Sequence, residues 1–316
     1  MPTFLIHCPG DSEAGGVESL HQLGDGINKL NEKAYMCYYP YEESFSVPAK
    51  FNSYKVKPSK FFDGESVIHI FPEIFTKAAL KIKKGKVGIF WLSIDNYFGK
   101  KDHQSNFKNF FQSLRLLYKT RLPIFKMKSY FHLYQSKYSK DFLKKYDFNG
   151  FYIGDYIKKI PKIDESTKKK KIILFNPKKG RFITDVLIKK NKDFKFIPLI
   201  NLKEYEMFEL MKKSMIYIDF GNHPGRDRIP REAVINGCII ITGRRGSSAN
   251  DEDIPIDEKY KIDHKSENFH RIFENLCNDI FENYEIHQEK MKNYIDVIKN
   301  NEKYVIQNIG EFLKGI

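Results

Sequence analysis

Residues 215–243 read "MIYIDFGNHPGRDRIPREAVINGCIIITG", and their punctuation decides the fold. An apolar strand breaks at Gly221 into a loop carrying His223, Arg226, Asp227 and Arg228, and the chain resumes as a helix that ends in a second apolar strand. Strand, loop, helix and strand at this spacing form one repeat of a parallel α/β sheet. Pro230 and Glu232 are predicted in the first turn of that helix, where proline and acidic side chains are both favoured. Charge concentrated between two core strands asks for a function.

The same alternation extends in both directions. Upstream, "IILFNPKKG" (172–180), "RFITDVLIKKN", "FKFIPLI" and "LKEYEMFELMKKS" alternate strand and helix. Further back, "TFLIHCP", "AYMCYYP", "SVIHIFP" (66–72) and "KVGIFWLS" (86–93) read as strands of a first sheet, with a helix over "VESLHQLGDGINKLN". Between the two sets, "KKIPKIDESTKKKK" (158–171) is polar and highly charged, as linkers are. From about residue 265 the pattern is helical, with Ile272, Phe273, Leu276, Ile280 and Phe281 at helical spacing. The expected organisation is an α/β protein with two Rossmann-like domains, 1–158 and 172–265, a linker at 159–171, and a helical tail at 266–316 that packs back on the first domain.

At 316 residues, two cores are the default, and 41% hydrophobic content supplies them. No apolar run approaches the roughly 20 residues that span a bilayer, and the amino end lacks signal-peptide features, so a cytoplasmic protein is expected. Cys8, Cys37, Cys238 and Cys277 show no CxxC spacing and read as small core residues rather than disulfide or zinc ligands. The net charge of +14 points to an anionic partner: nucleic acid, phospholipid or phosphorylated small molecule.

Four loops carry residues that a core does not require. In "GDSEAGGVES", Gly15 and Gly16 precede a helix whose N–H groups can face an anion. "ILFNPKKGR" ends a strand in Lys178, Lys179 and Arg181, which suit a diphosphate. The third is the opening stretch, and the fourth is "GRRGSSAND", where the backbone around Gly246 and Ser247 can receive phosphate or sugar oxygens. The last three follow strands, so a parallel sheet gathers them along one edge, where open α/β sheets bind ligands.

Together "AGGVESLHQLGDGINKLN", "IFWLSIDNYFG", "HLYQSKYSKDFL", "NPKKG", "HPGRDRIPREAVINGC" and "GSSANDEDIPI" give the chain a resemblance to GT-B-fold glycosyltransferases, of the kind that extend bacterial surface glycans such as capsule and lipopolysaccharide. The resemblance implies two Rossmann-like domains facing across a cleft, and transfer from a nucleotide sugar to a glycan or lipid-linked glycan. In retaining members, a Glu at the start of the corresponding helix binds the ribose, and Glu232 matches it. A second Glu, eight residues earlier, is replaced here by Pro224, with His223, Arg226 or Asp227 as substitutes. Lys178 and Lys179 match the diphosphate-binding cations. The charged loop, with Arg228, would then neutralise the departing diphosphate. No metal or other cofactor is expected, because no acidic ligand set stands out.

If the sugar is inverted, a base from the first domain must take the acceptor proton. Asp11, Glu18, Glu73 and Asp95 are the candidates, with His69 more simply a packed strand residue and Trp91 a core aromatic. Residues 97–150 hold 12 Lys or Arg against 3 Asp among many aromatics. They are read as the acceptor side and a patch facing an anionic membrane at its inner face, through Lys100, Lys101, Lys108, Arg115, Phe107, Phe110, Phe111, Tyr118 and Phe125, or else as an ordinary amphipathic helix filling the core. The main rival function is a single-stranded nucleic-acid-binding α/β protein, but no nucleic-acid motif accompanies the charge and no nucleic-acid partner is expected. An inactive Rossmann-like scaffold is the third reading.

Overall fold

The computed structural model describes residues 2–100, 106–158 and 167–316. Lys101 of the basic segment and residues 159–166 of the linker lie outside them.

The first unit comprises Met1–Tyr156, Pro224–Arg226 and Asn301–Ile316. Its elements are β1 (Thr3–Pro9), α1 (Gly15–Lys29), β2 (Lys33–Tyr39), β3 (Lys57–Pro58), β4 (Val67–Pro72), β5 (Lys86–Trp91), α2 (Ile94–Phe98), α3 (Asn106–Lys119), β6 (Phe131–Tyr134), α4 (Lys137–Lys144) and β7 (Gly150–Tyr152). The seven strands pair in the order β3-β2-β1-β4-β5-β6-β7, all parallel. Helical cover on both faces explains why β1 and β4 are apolar along their length instead of alternating. The segment after β4 is a 3-10 helix, Glu73–Lys81, broken at Phe75. Trp91 is fully buried beside Tyr97 and Phe142.

The second unit comprises Ile157–His223 and Asp227–Asn300. It contains β8 (Lys170–Phe175), α5 (Arg181–Lys190), β9 (Lys195–Pro198), α6 (Glu204–Lys213), β10 (Ser214–Asp219), α7 (Arg228–Ile235), β11 (Ile239–Gly243), β12 (Lys261–Ile262), α8 (Phe269–Glu282) and the first half of α9 (Tyr284–Gly315). Its five strands run β12-β11-β10-β8-β9, again all parallel. Isoleucines dominate β10 and β11, and Ile216, Ile218, Ile239, Ile240 and Ile241 are fully buried, or nearly so. β-Branched side chains fit such a doubly covered sheet.

Two expected boundaries shift. The lysine run assigned to the linker through 171 already contributes to β8 from Lys170, and Lys169 is a structural cation. Its Nζ donates to the carbonyls of Met211, Ser214 and Asn236 at 3.1, 3.0 and 2.9 Å, tying together three separate segments. The helical tail is divided rather than one body. Phe273, Leu276, Ile280 and Phe281 join the core of the second unit, and Ile272 is exposed. Only Asn301–Ile316 belongs to the first unit. There Phe312 is fully buried against Phe4, Phe131 and Phe151, with ring centroids 6.0, 5.7 and 5.4 Å away, a burial worth about 1.5–3 kcal/mol. All four cysteines are buried and free.

Candidate functional site

Because β8, β9, β10 and β11 are parallel, the loops that follow them leave the same edge of the second sheet. Two glycines bring three of these loops into contact. Gly180 caps the start of α5 at φ 56°, and a Cβ there would meet the Gly221 nitrogen and the Phe220 carbonyl carbon at 2.5 Å. Gly246 sits at φ 64°, and a Cβ on it would strike the His223 carbonyl oxygen. The vacated space lets Ser247 N–H donate to that oxygen at 2.7 Å, while His223 N–H donates to Arg245 O at 3.3 Å. Only glycine combines positive φ with so close a backbone approach.

A chain of alternating charges follows. Lys179 Nζ donates to Asp227 Oδ2 at 2.6 Å, His223 Nδ1 lies 3.2 Å from the same oxygen, and His223 Nε2 lies 3.4 Å from Asp219 Oδ1. Asp219 accepts from Gly221 N–H at 2.9 Å and from the Tyr217 hydroxyl at 3.2 Å. Desolvation would raise the Asp219 carboxyl, but His223, then Lys179 and the Gly221 N–H, hold it down at about 2. For His223 desolvation is again the largest influence and favours the neutral ring; Asp219 and Asp227 outweigh it, so its pKa is raised. The two carboxylates thus favour the protonated form of the imidazole that lies between them.

Glu232 departs from its expected place. Asp227, not a residue beside Pro230, precedes the first helical residue, so α7 starts at Arg228 and Glu232 is its fifth residue. An acidic side chain there gains little from the helix dipole, whose effect fades within the first turn. Glu232 is buried, which raises its carboxyl, and Arg228 Nε at 3.3 Å opposes the rise. Glu204 at the start of α6 adds negative charge near Glu232. The loop after β9 is thus a fourth contributor, with Ile200, Leu202 and Tyr205 exposed beside it; nothing in the local pattern of "LKEYEMFELMKKS" signals that proximity. Lys178 is exposed. Arg226 belongs to the first unit, where its Nε lies 3.6 Å from Asp155 Oδ1 and its Nη1 donates to the Tyr152 hydroxyl at 3.2 Å.

Helix starts add a further property. Ser93 and Ser136 cap α2 and α4, accepting from Asn96 N–H and Ser139 N–H. At α1, α5 and α7 the N-cap residues Ala14, Gly180 and Asp227 make no such side-chain bond. These are the helices that follow the glycine loop of β1 and the charged loops of β8 and β10, and a helix start of this kind favours anionic oxygens.

In the first unit, Asp11 is an exposed residue at φ 50°. Gly15 and Gly16 open α1, and Glu18, buried on that helix, accepts from the Tyr54 hydroxyl at 2.8 Å. Asp95 is buried in the first turn of α2. Glu73, directly after β4, is fully buried and accepts from Leu92 N–H at 3.1 Å; burial pushes its carboxyl up to about 7, against the pull of that N–H and Arg121. His69 is a buried strand residue 3.1 Å from His7. Among the described residues, no group of three or more His, Cys, Asp or Glu is arranged to hold a metal.

Two units, each a parallel α/β sheet, with a helical carboxyl-terminal tail are the architecture of the GT-B glycosyltransferase fold, which this chain has. Similar solved structures include Anabaena Alr3699/HepE in complex with UDP-glucose, 10% identical with a TM-score of 0.60 over 100% of both chains. A glycosyltransferase from Rickettsia africae is 12% identical, TM-score 0.63, over 99% of this chain and 98% of that one. Sucrose-phosphate synthase from Thermosynechococcus elongatus is 7% identical, TM-score 0.64, over 100% and 99%. No family model matches the chain, and no curated protein matches it in sequence.

Proposed function

We propose that the chain is a glycosyltransferase that uses a nucleotide sugar, with the donor held at the strand-end edge of the second unit. The observation that carries this reading is the convergence there of Lys179, His223, Asp227, Arg228, Glu232, Gly246 and Ser247 beside the starts of α5 and α7. UDP-glucose in the Anabaena structure supports a UDP-sugar as the donor class. Glu232, oriented by Arg228, accepts from the ribose hydroxyls, and the apolar surface of Ile200, Leu202 and Tyr205 suits the base. Lys178 and the N–H groups opening α5 and α7 stabilise the diphosphate as it leaves, without a metal. For the acceptor proton, Glu73 has a carboxyl whose proton affinity near neutrality suits a general base. The acceptor is a glycan or lipid-linked glycan of surface polysaccharide synthesis, and the reaction is cytoplasmic.

Calorimetric titration of the full chain with UDP, UDP-glucose, GDP and CMP tests the reading. Glu232→Gln is expected to weaken UDP about tenfold to a hundredfold, as loss of a charged hydrogen-bond acceptor does, with folding unchanged. Lys178→Ala should weaken UDP but not uridine. It is a cleaner probe than Lys179→Ala, which also removes the partner of Asp227. Absence of binding by every nucleotide, or wild-type affinity in Glu232→Gln, would overturn the assignment.

A further inference from the structure

The apolar stripe of α3 faces away from the protein. Phe107, Phe110, Phe111, Leu114 and Tyr118 recur at steps of three and four residues and so lie along one side of the helix. All five are exposed, from 48% at Leu114 to 80% at Tyr118. Asn109, Gln112, Ser113, Leu116 and Leu117, on other sides of the helix, are the half-buried ones. Phe125, just beyond, is 68% exposed. A surface helix ordinarily turns its polar side to water, and a contiguous apolar stripe left outside marks an interaction surface.

Its charge identifies the partner. Residues 106–128 contain six Lys or Arg and no Asp or Glu. Lys108, Arg115 and Lys119 each follow a stripe residue by one position, which sets them along one flank, and all three are exposed. There their long stems can lie on apolar surface while their charges reach outward. Lys126 and Lys128 extend the cationic border beside Phe125. We infer that α3 docks on an anionic lipid bilayer, lying in its surface with the aromatic stripe among the upper acyl chains and the cations at the headgroups.

Two other occupants fit less well. The rings pack edge to face on one another, Phe107 on Phe111 at 4.7 Å and 64°, Phe110 on Phe111 at 5.8 Å and 83°. Bases of a nucleic acid need open ring faces, and Leu114 offers none. A second copy of the chain would set two cationic borders against each other.

Vesicle flotation with the full chain tests this without any sugar donor, so its outcome is separate from that of the donor assignment. Binding is expected to phosphatidylglycerol-containing vesicles, to fall as salt rises, and to be absent with phosphatidylcholine alone. Phe110→Ser with Phe111→Ser should abolish it. Lys108→Gln with Arg115→Gln should reduce partitioning about thirtyfold, at roughly 1 kcal/mol for each cation. In Phe110→Trp, anionic vesicles should shift the new emission to the blue, with Trp91 buried as a constant background. Equal binding to both vesicle types, no blue shift, binding of single-stranded oligonucleotide in place of vesicles, or a dimer dissolved by the Phe110→Ser, Phe111→Ser pair would each overturn the inference.

Discussion

Each unit buries imidazoles close to its parallel strands, and the two units surround them differently. In the first, Tyr41, His7, His69 and Asp63 form a line: the Tyr41 hydroxyl is 2.7 Å from His7 Nδ1, His7 Nε2 is 3.1 Å from His69 Nδ1, and His69 Nε2 faces Asp63 Oδ1 at 3.4 Å. Desolvation would raise the Asp63 carboxyl, but the N–H groups of Lys83, Gly85 and Lys84 hold it at about 2, so it only accepts. His69 therefore carries its proton on Nε2, His7 donates to His69, and Tyr41 donates to His7. One arrangement satisfies the line, and both rings are neutral in it. Burial, with His69 beside His7, lowers the pKa of His7, and burial lowers that of His69 despite Asp63. In the second unit the same burial acts on His223, but two carboxylates reverse its outcome. Burial thus sets the cost of the charge, and the facing groups decide whether it is kept. In the first unit the line of rings is neutral from end to end, whereas the second unit holds a charged cluster at its strand ends.

The sharpest way to break this contrast is to remove the buried cation. His223→Leu would leave Asp219 and Asp227 facing each other without it, and loss of one partner from a buried ionic group costs about 3–5 kcal/mol. Two units need not unfold together, so amide hydrogen exchange is the readout, with the loss expected in β10, β11 and α7 and not in the first sheet. Retention of wild-type protection there would show that the cluster is not ionic.

A smaller effect is expected in the first unit. His7 stacks on Phe71 with centroids 3.8 Å apart and planes at 6°, so His7→Phe keeps the packing and removes only the polar link. Tyr41 and His69 Nδ1 then lose their shared partner, at a cost of about 1–3 kcal/mol. Exchange in β1 and β4 measures it. A loss equal to that of His223→Leu would mean that the line is held by more than neutral hydrogen bonds.

The alternation that gives both sheets was legible in the sequence, because strand and helix periods are local properties. So were the three loops of the second unit, since a parallel sheet must deliver them to one edge. Contacts set by strand order were not legible. His7 and His69 are separated by 62 positions and meet only because β1 pairs with β4. Glu204 approaches Glu232 only once α6 lies beside α7. Pro230 does lie in the first turn of α7, but the helix begins at Arg228, so Glu232 falls one residue beyond that turn. Periodicity showed that α3 is amphipathic but could not show which side it turns outward.

The weakest effect, and the most discriminating, is the dependence of these substitutions on pH. An unperturbed histidine titrates near 6.5. The folded pKa of His223 is raised, so its stabilisation is complete below about 6.5 and is lost as pH rises through the folded value. The gap between wild type and His223→Gln should therefore narrow with increasing pH. The folded pKa of His7 is lowered, so below about 6.5 the unfolded chain binds the proton more readily. The gap between wild type and His7→Phe should then narrow as pH falls. Tyr41 and His69 are the titratable groups facing His7, with Asp63 beyond His69, while Asp219, Asp227 and Lys179 are those acting on His223. His21, His132 and His287 also have lowered values, which tilts the wild-type profile of both units towards acid sensitivity. Comparing each variant with wild type cancels those contributions. Exchange in the two sheets at pH 5.5, 6.5 and 8, each about a unit or more from its neighbour across the histidine range, should show the two gaps moving in opposite directions. Parallel movement would mean that the two buried histidine sites carry the same charge, and the contrast between the units would fall.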